Sequence, residues 1–245
     1  MSTAELRTLN STRFLAAFSE IEAQLRRLLA VDVQLPFSRL VRDAAHRSRW
    51  IGRFANDLTE FAELRNAIVH RFRPEGPIAE PNDEVTRLIE GIARTLSQPP
   101  TVVPLFRRKV SVVEPATPIA TAVRFMRSHE FSKLPVVNDK KIVGLLTTGA
   151  IAQWLGAEAD SGIVDLEATC VSEVLKHTRE PELFRVVAPT ATLGDVVSLF
   201  LERQEIGRRL EAVLITVNGK PGGQIVGLVT TSDLPAAFRA LWPEG

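Results

Sequence analysis

The chain has 245 residues, of which 45% are hydrophobic, and its formal net charge at pH 7 is +1. This balance gives no overall attraction to nucleic acid or to an anionic membrane, so any basic surface must be local. The sequence contains one cysteine, Cys170, which excludes a disulfide framework within the chain and is typical of a reducing compartment.

The N-terminal segment MSTAELRTLNSTRFLAAF is amphipathic and lacks the continuous apolar core of a signal peptide. No stretch of the sequence approaches the ~20 apolar residues needed to span a bilayer. We therefore expect a cytoplasmic protein without a membrane partner.

Helical periodicity covers most of the first hundred residues. Apolar residues recur at spacings of three and four and predict helices near residues 4–30, 37–48, 50–72 and 83–97. Pro74 and Pro77 end the third helix, and Asn82 or Asp83 offers a cap for the fourth. Short connections between four helices favour an up-and-down bundle over residues 1–98.

The third predicted helix contains the sequence LRNAIVH, which includes Arg65, Asn66 and His70. On an ideal helix Arg65 points into the middle of the apolar face, whereas Asn66 and His70 lie opposite. A buried arginine is costly without a partner, so we expect it to meet Asp57 or Glu22, or to reach a polar cleft between chains.

The pattern R-N-x-x-x-H near the end of a bundle helix resembles the HEPN family, many of whose members are metal-independent ribonucleases with a cleft at a homodimer interface. Other members bind nucleotides or are inactive. The resemblance implies that His70 transfers a proton, that Arg65 stabilises charge on the scissile phosphate and that Asn66 orients one of them. The alternative is a salt-bridged core arginine and a surface histidine.

Basic side chains recur at spacings of three and four along the second helical region, at Arg39, Arg42, His46, Arg49 and Arg53. The four arginines of this basic stripe could track an RNA backbone, and a solvated helix face is the simpler alternative. Trp50 is the one aromatic residue here that could stack on a base.

Residues 99–103 are predicted to be a linker, because the prolines of QPPTVVP disfavour helix and favour extended chain. Beyond the linker a repeat begins. VVEPATPIATAVRFM and KLPVVNDKKIVGLLTTGAI in the first copy correspond to VVAPTATLGDVVSLF and AVLITVNGKPGGQIVGLVTTSDL in the second. Each copy predicts the order strand, helix, strand, tight turn, strand, helix.

The repeated elements P-x-x-P-I-x-x-A, LPVV and G-h-h-T-x-x-D, where h is hydrophobic, resemble a tandem pair of CBS domains, the nucleotide-sensing unit also called a Bateman module. The resemblance covers about residues 104–241. It implies CBS domain 1 at 104–160 and CBS domain 2 at 161–245, and the separate HEPN resemblance implies a HEPN-like domain at 1–98. The expected fold class is α + α/β, a four-helix bundle followed by tandem β-α-β-β-α repeats.

In CBS domains the G-h-h-T/S-x-x-D element runs from a strand end into a helix, so that the hydroxyl faces phosphate and the carboxylate accepts the ribose hydroxyls. The second copy retains Thr230, Ser232 and Asp233, whereas the first has Ala150 in place of the acid. One of the two pseudo-symmetric sites is therefore in doubt. The alternative role for Thr230 and Asp233 is to cap the last helix.

The resemblance also implies that the first copy closes the site of the second. Thr117 would face Thr230 and Asp233, and Phe131 and Lys133 would lie near the base. The expected ligand is an adenine nucleotide, AMP, ADP or ATP. We expect no metal site, because the four histidines show no metal-ligand spacing.

Three functional hypotheses follow. The first is a regulatory protein in which a nucleotide-binding CBS pair biases the helical domain. The second is a nucleotide-regulated, metal-independent ribonuclease, and the third is a dimerisation module without a ligand. We also expect a homodimer, because the resemblances imply CBS pairs and HEPN-like bundles, which commonly associate, and because closed two-fold assemblies are the commonest oligomers.

Overall fold

The computed structural model describes residues 3–70, 72–73, 76–77, 79–159, 162–178 and 183–242, with side chains for all of these except 3–9, 70, 72–73 and 76–77. Backbone contacts divide the chain into two units. The first comprises residues 1–101, 192–202 and 233–245, and the second comprises 102–191 and 203–232.

The first unit begins with helical elements that match the predicted periodicity. They are α1 (Thr3–Leu29), α2 (Phe37–Arg47), a 3₁₀ helix (Arg49–Phe54), α3 (Ala55–His70), the short paired strands β1 (Phe72–Arg73) and β2 (Gly76–Pro77), and α4 (Asp83–Ser97). The predicted helix near 50–72 therefore opens as a 3₁₀ helix. Asn82 caps α4, since its side-chain oxygen accepts a hydrogen bond from the Val85 N–H at 2.8 Å.

Helix α1 contacts α2, α3 and α4, and apolar side chains fill the space between them. Fully buried residues here include Phe14, Ile21, Leu25, Leu40, Leu58, Ile68, Ile89 and Ile92. The Arg13 guanidinium holds both Glu90 carboxylate oxygens, at 2.7 and 2.6 Å, and so joins α1 to α4. The predicted apolar faces thus form the core of this unit.

Two later segments also belong to the first unit. Helix α9 (Leu193–Glu205) begins in it with a reciprocal cap, in which Thr192 and Asp195 bond each other's backbone N–H at 3.0 Å. Gly194 lies against the Trp50 indole so closely that a Cβ there would overlap the ring. Helix α10 (Leu234–Leu241) leads to Trp242, whose ring stacks on Phe54 at 4.8 Å.

The second unit contains the first copy of the repeat. Its elements are α5 (Val103–Phe106), α6 (Ile119–Ser128), β3 (Lys133–Asn138), β4 (Lys141–Thr147) and α7 (Thr148–Glu158), followed by α8 (Val171–Lys176). Strands β3 and β4 pair antiparallel through a turn in which Asp139 and Lys140 have positive φ. The predicted first strand is reduced to a single parallel bridge between Val113 and Val136.

The second copy forms a three-stranded sheet in the order β5 (Phe184–Val187), β6 (Ala212–Thr216), β7 (Ile225–Thr230). Strand β5 is parallel to β6, and β7 is antiparallel to it. Strand β6 is buried throughout. A 3₁₀ turn (Thr231–Asp233) then connects β7 to α10. Across the ranges given above, no helix is both long and apolar enough to cross a membrane.

Candidate functional site

A cleft in the second unit brings together residues from both copies of the repeat. We call it the Thr230 cleft. It is lined by Arg108, Lys109, Val110, Ser111, Glu130, Phe131, Ser132, Lys133, Leu134, Pro135, Leu228 and Thr230. Three cations and one carboxylate share this lining with one aromatic ring, which is a composition suited to a flat anionic ligand.

The Phe131 ring is held in place by its aromatic neighbours. It stacks on His129 at 5.4 Å between ring centroids and lies 6.1 Å from Phe125. The side chain is nevertheless 39% exposed, so part of the ring remains accessible. An accessible ring in a supported position can stack on a planar base.

Lys133 opens strand β3 and forms an ion pair with Glu211, at 3.1 Å between the ammonium nitrogen and a carboxylate oxygen. The two side chains are only 14% and 25% exposed, so the pair is largely shielded from water. Its electrostatic energy is therefore greater than that of a surface pair.

Gly227 allows strand β7 to approach the chain near α5. A Cβ at this position would collide with the Phe106 carbonyl oxygen, and Arg107 forms an antiparallel bridge with Gly227. The same contact fixes Arg108, whose N–H bonds the Val226 carbonyl and whose guanidinium bonds the Leu228 carbonyl. The glycine of the G-h-h-T-x-x-D element thus positions a cation of the cleft.

The two copies use their motif threonines differently. In the first copy Thr147 is the N-cap of α7, and its hydroxyl accepts a hydrogen bond from the Ala150 N–H at 3.0 Å. In the second copy Thr230 ends β7, and the N-cap of α10 is Asp233, whose side chain makes no capping hydrogen bond. The Asp233 side chain therefore does not cap the last helix with a hydrogen bond, whereas Thr147 of the first copy caps α7.

A second cleft in this unit is built around Thr147. We call it the Thr147 cleft. Its lining includes Thr147, Gly149, Ala150, Gln153, Thr178, Leu183, Arg209 and Glu211. The two cavities have similar volumes, about 220 Å³ for the Thr230 cleft and 240 Å³ for the Thr147 cleft. Size does not distinguish them, but the described lining of the Thr147 cleft contains no aromatic ring, and there Arg209 is balanced by Glu211.

The CBS domain model matches residues 102–157 and 171–239, just over half of the chain. The chain belongs to the CBS-domain family. The predicted tandem CBS pair is therefore confirmed, and a search of curated proteins finds no significant match.

Solved structures that resemble the chain contain CBS domains as well. A conserved CBS domain protein from Thermoplasma acidophilum, TA0289, is 21% identical and matches 58% of this chain and 73% of its own, with a TM-score of 0.42. CBSX2 in complex with AMP is 22% identical (57% and 97%, TM-score 0.42). The CBS pair of MJ0100 with 5′-methylthioadenosine and S-adenosylmethionine is 18% identical (58% and 97%, TM-score 0.42).

The predicted nucleotide-site residues of the CBS pair are brought together in part. Phe131, Lys133 and Thr230 line one cleft. Ser232 is exposed in the turn after β7, and Asp233 follows it. Thr117 is not among the lining residues, and its carbonyl instead accepts a hydrogen bond from the N–H of Val171.

Arg108 and Lys109 line the Thr230 cleft although the sequence did not single them out. They belong to the run RRK at 107–109, which lies near the start of the first CBS domain and carries no periodic pattern. Their place depends on the bridge between Arg107 and Gly227, a contact that joins positions far apart in sequence. The positive charge of the run was the only feature of the sequence that could have indicated this position.

The Arg65 side chain does not lie in the middle of the apolar face, where the helical wheel placed it. It is half-buried, and its guanidinium donates to the neighbouring Asn66 side-chain oxygen at 3.1 Å. The expected partner Glu22 pairs with Arg26 instead, and no ion pair joins Arg65 to Asp57 in the described part of the chain. The expected ion pairs with Glu22 and Asp57 therefore do not form, because the long side chain extends to Asn66 instead. The other expectation, that Arg65 reaches a polar cleft between chains, stays a prediction. The His70 side chain lies outside the described residues.

The basic stripe is only partly as expected. Arg39, Arg42 and Arg53 are exposed and Arg49 is half-buried. Arg39 pairs with Asp43 at 3.5 Å. Trp50 is 7% exposed and packs against Gly194, so the expectation that it could stack on a base was wrong.

Within the described ranges, no cluster of three or more His, Cys, Asp or Glu could hold a metal ion.

Proposed function

We propose that the CBS pair binds one adenine nucleotide, AMP, ADP or ATP, in the Thr230 cleft, and that this binding regulates the N-terminal helical unit. The observation that carries the proposal is the shared cleft of Phe131, Lys133 and Thr230, in which a partly exposed ring faces the same cavity as a hydroxyl and three cations. This combination suits the base and the phosphate of a single ligand.

Each side chain has a role in this proposal. Phe131 stacks on the adenine, and the Thr230 hydroxyl donates to the phosphate. Lys133, Arg108 and Lys109 balance the phosphate charge. Asp233, three residues after Thr230, accepts the two ribose hydroxyls, as the CBS motif implies.

The proposed stoichiometry is one nucleotide per CBS pair. In the first CBS domain, Ala150 removes the ribose acceptor, and the Thr147 hydroxyl is already engaged in capping α7. Among its described lining residues, the Thr147 cleft also offers no ring for stacking. A nucleotide bound there would lose the interactions expected for both its base and its sugar.

Helix α10, which directly follows the motif, carries the regulatory part of the proposal. Asp233 is the N-cap of α10, and the later residues of that helix pack within the first unit. Arg53 lies over the Phe238 ring at 4.0 Å, and Trp242 stacks on Phe54. A ligand that reorients Asp233 would therefore act on the start of a helix that is part of the N-terminal core.

Isothermal titration calorimetry of AMP, ADP and ATP against the full chain tests the proposal. Asp233→Asn should weaken binding by about 1.5 to 3 kcal/mol, the scale of a hydrogen bond to a charged group. Asp139→Asn is the control, because it removes the same charge from an exposed turn whose positive φ asparagine tolerates. Two equivalent sites, or equal affinities for the two variants, would contradict the proposal.

A nucleotide-regulated ribonuclease in a cytoplasmic homodimer is the second candidate. One observation favours it: Arg65 is half-exposed, bonds only to Asn66 among the described partners, and so retains an unneutralised charge. The proposed roles are charge stabilisation for Arg65, orientation for Asn66 and proton transfer for His70. Metal-free cleavage of RNA in EDTA that is lost in both Arg65→Gln and His70→Ala, and retained in Arg87→Gln, would support it.

A further inference from the structure

A third cleft lies in the first unit, and none of its lining residues belongs to the predicted nucleotide site. It is lined by Arg53, Phe238, Arg239 and Trp242 and has a volume of about 360 Å³. We call it the Trp242 cleft. Its volume lies within the range of small-ligand pockets.

The Trp242 indole is supported from one side and accessible from the other. One face stacks on Phe54 at 4.8 Å with an interplanar angle of 24°, and Phe54 in turn packs edge-on to Trp50. Phe54 is buried, whereas Trp242 remains 39% exposed. A ring held in this way is a preformed stacking surface, because little side-chain freedom remains to be lost on binding.

Two guanidinium groups border this ring. Arg53 lies over Phe238 at 4.0 Å from the ring centroid, which orients its planar group at the cleft, and Arg239 is exposed beside Phe238. Neither arginine forms an ion pair with a carboxylate among the residues that the structure describes. Their charges are therefore available to an anion, and a planar guanidinium can hold two phosphate oxygens at once.

The chain that leads to Arg53 carries further cations, and Arg49 of the same 3₁₀ helix contacts His46 of α2 at 3.4 Å. Arg53 belongs to the 3₁₀ helix that directly follows α2, and the exposed side of α2 carries Arg42, His46 and Arg47. A free nucleotide would use only the two guanidiniums of the cleft. A chain of nucleotides would also use the cations of α2, so the charge distribution favours a strand.

We propose that the Trp242 cleft and the adjoining face of α2 bind single-stranded nucleic acid, with one base stacked on Trp242 and its flanking phosphates held by Arg53 and Arg239. Stacking on an aromatic ring is tolerant of sequence, and the phosphate contacts carry no base information. The site therefore binds without strong sequence preference and depends on ionic strength. This inference is independent of nucleotide binding by the CBS pair and of ribonuclease activity.

Fluorescence anisotropy of a labelled twelve-residue oligo-deoxythymidine, titrated with the full chain, tests the proposal. The DNA probe lacks the 2′-hydroxyl that a ribonuclease of the proposed kind would attack, so cleavage cannot obscure binding. Arg239→Gln should weaken binding several-fold more than Arg87→Gln, an equal charge change at an exposed position of α4. The combined Arg53→Gln and Arg239→Gln variant should reduce the salt slope by about 1.4, from about 0.7 per phosphate contact.

Trp242→Ala should weaken binding by about 5- to 150-fold, the range measured for loss of one base stack, whereas Trp242→Phe should retain most of the affinity. Trp242 also packs on Phe54, so its removal can loosen the unit. Arg239→Gln avoids this problem because the side chain is exposed. Equal effects of Arg239→Gln and Arg87→Gln would overturn the proposal. Thymidine monophosphate that competes as well as the oligonucleotide at equal nucleotide concentration would overturn the assignment of a strand.

Discussion

The Lys133–Glu211 ion pair provides the sharpest prediction, because each partner lines a different cleft. If Lys133 contacts the phosphate of a nucleotide, Glu211 competes with that ligand for the same ammonium group. Glu211→Gln should therefore tighten nucleotide binding, although the substitution lies outside the lining of the Thr230 cleft. Lys133→Met should weaken it.

The magnitudes follow from the exposure of the pair. Exposed ion pairs contribute about 0.2–1 kcal/mol, and breaking a fully buried pair costs about 3–5 kcal/mol. Side chains that are 14% and 25% exposed lie between these limits, so each single variant should lower the free energy of unfolding by about 1–2 kcal/mol. Release of Lys133 from a partner worth about 1 kcal/mol should tighten nucleotide binding roughly fivefold.

A double-mutant cycle checks both effects. Urea denaturation without nucleotide should show that the double variant loses about 1 kcal/mol less than the sum of the single losses. Calorimetry with AMP should show that Glu211→Gln improves binding only when Lys133 is present. The reasoning fails if the improvement persists in the Lys133→Met background, since it would then not act through the ammonium group. It also fails if Glu211→Gln weakens binding.

Three further predictions concern the first unit and the assembly. Gly194→Ala should lower the free energy of unfolding in urea by at least about 1–3 kcal/mol, because the new Cβ would overlap the Trp50 indole. Gly156→Ala, at an open position of α7, should instead raise it by up to about 1 kcal/mol. Changes of the same sign in the two variants would contradict this prediction. The hydrogen-bonded Arg13 guanidinium lowers the pKa of Glu90 below its ordinary 4.5. The carboxylate therefore stabilises the fold above pH 4.5, and this contribution is lost as the pH falls through the lower pKa of the folded state. Glu90→Gln should lower the free energy of unfolding by about 0.5–1 kcal/mol near pH 7 in urea titrations, and a loss that does not shrink in acid would count against the argument. Light scattering at tens of micromolar should give the mass of a homodimer, and a monomer would exclude any cleft that needs two protomers.

The sequence was most informative where local pattern determines structure. The helix predicted at 37–48 is Phe37–Arg47, and that predicted at 83–97 is Asp83–Ser97. Both have apolar residues at helical spacing, and the second also has a strong cap at Asn82. The paired strands of each copy were equally clear, because β-branched runs flank a turn.

The predictions were wrong where contacts between residues far apart in sequence determine the structure. The segment 49–54 forms a 3₁₀ helix and buries Trp50 against Gly194, a contact that no local pattern indicates. The same contact removes Trp50 as a stacking residue, whereas the Trp242 ring is 39% exposed. A helical wheel follows the Cβ positions, so it could not show that the Arg65 guanidinium extends to Asn66.

The make-up of the first unit has a consequence for how the protein is synthesised. Trp50 and Phe54 are made early, whereas Gly194, which packs on Trp50, is made about 140 residues later, and Trp242, which stacks on Phe54, about 190 residues later. At ribosomal rates of about 5–20 residues per second, the interval is roughly 10 to 40 s. During that time the emerging N-terminal helices expose two large aromatic side chains, which makes them a target for chaperones and a risk for aggregation until the last helix arrives.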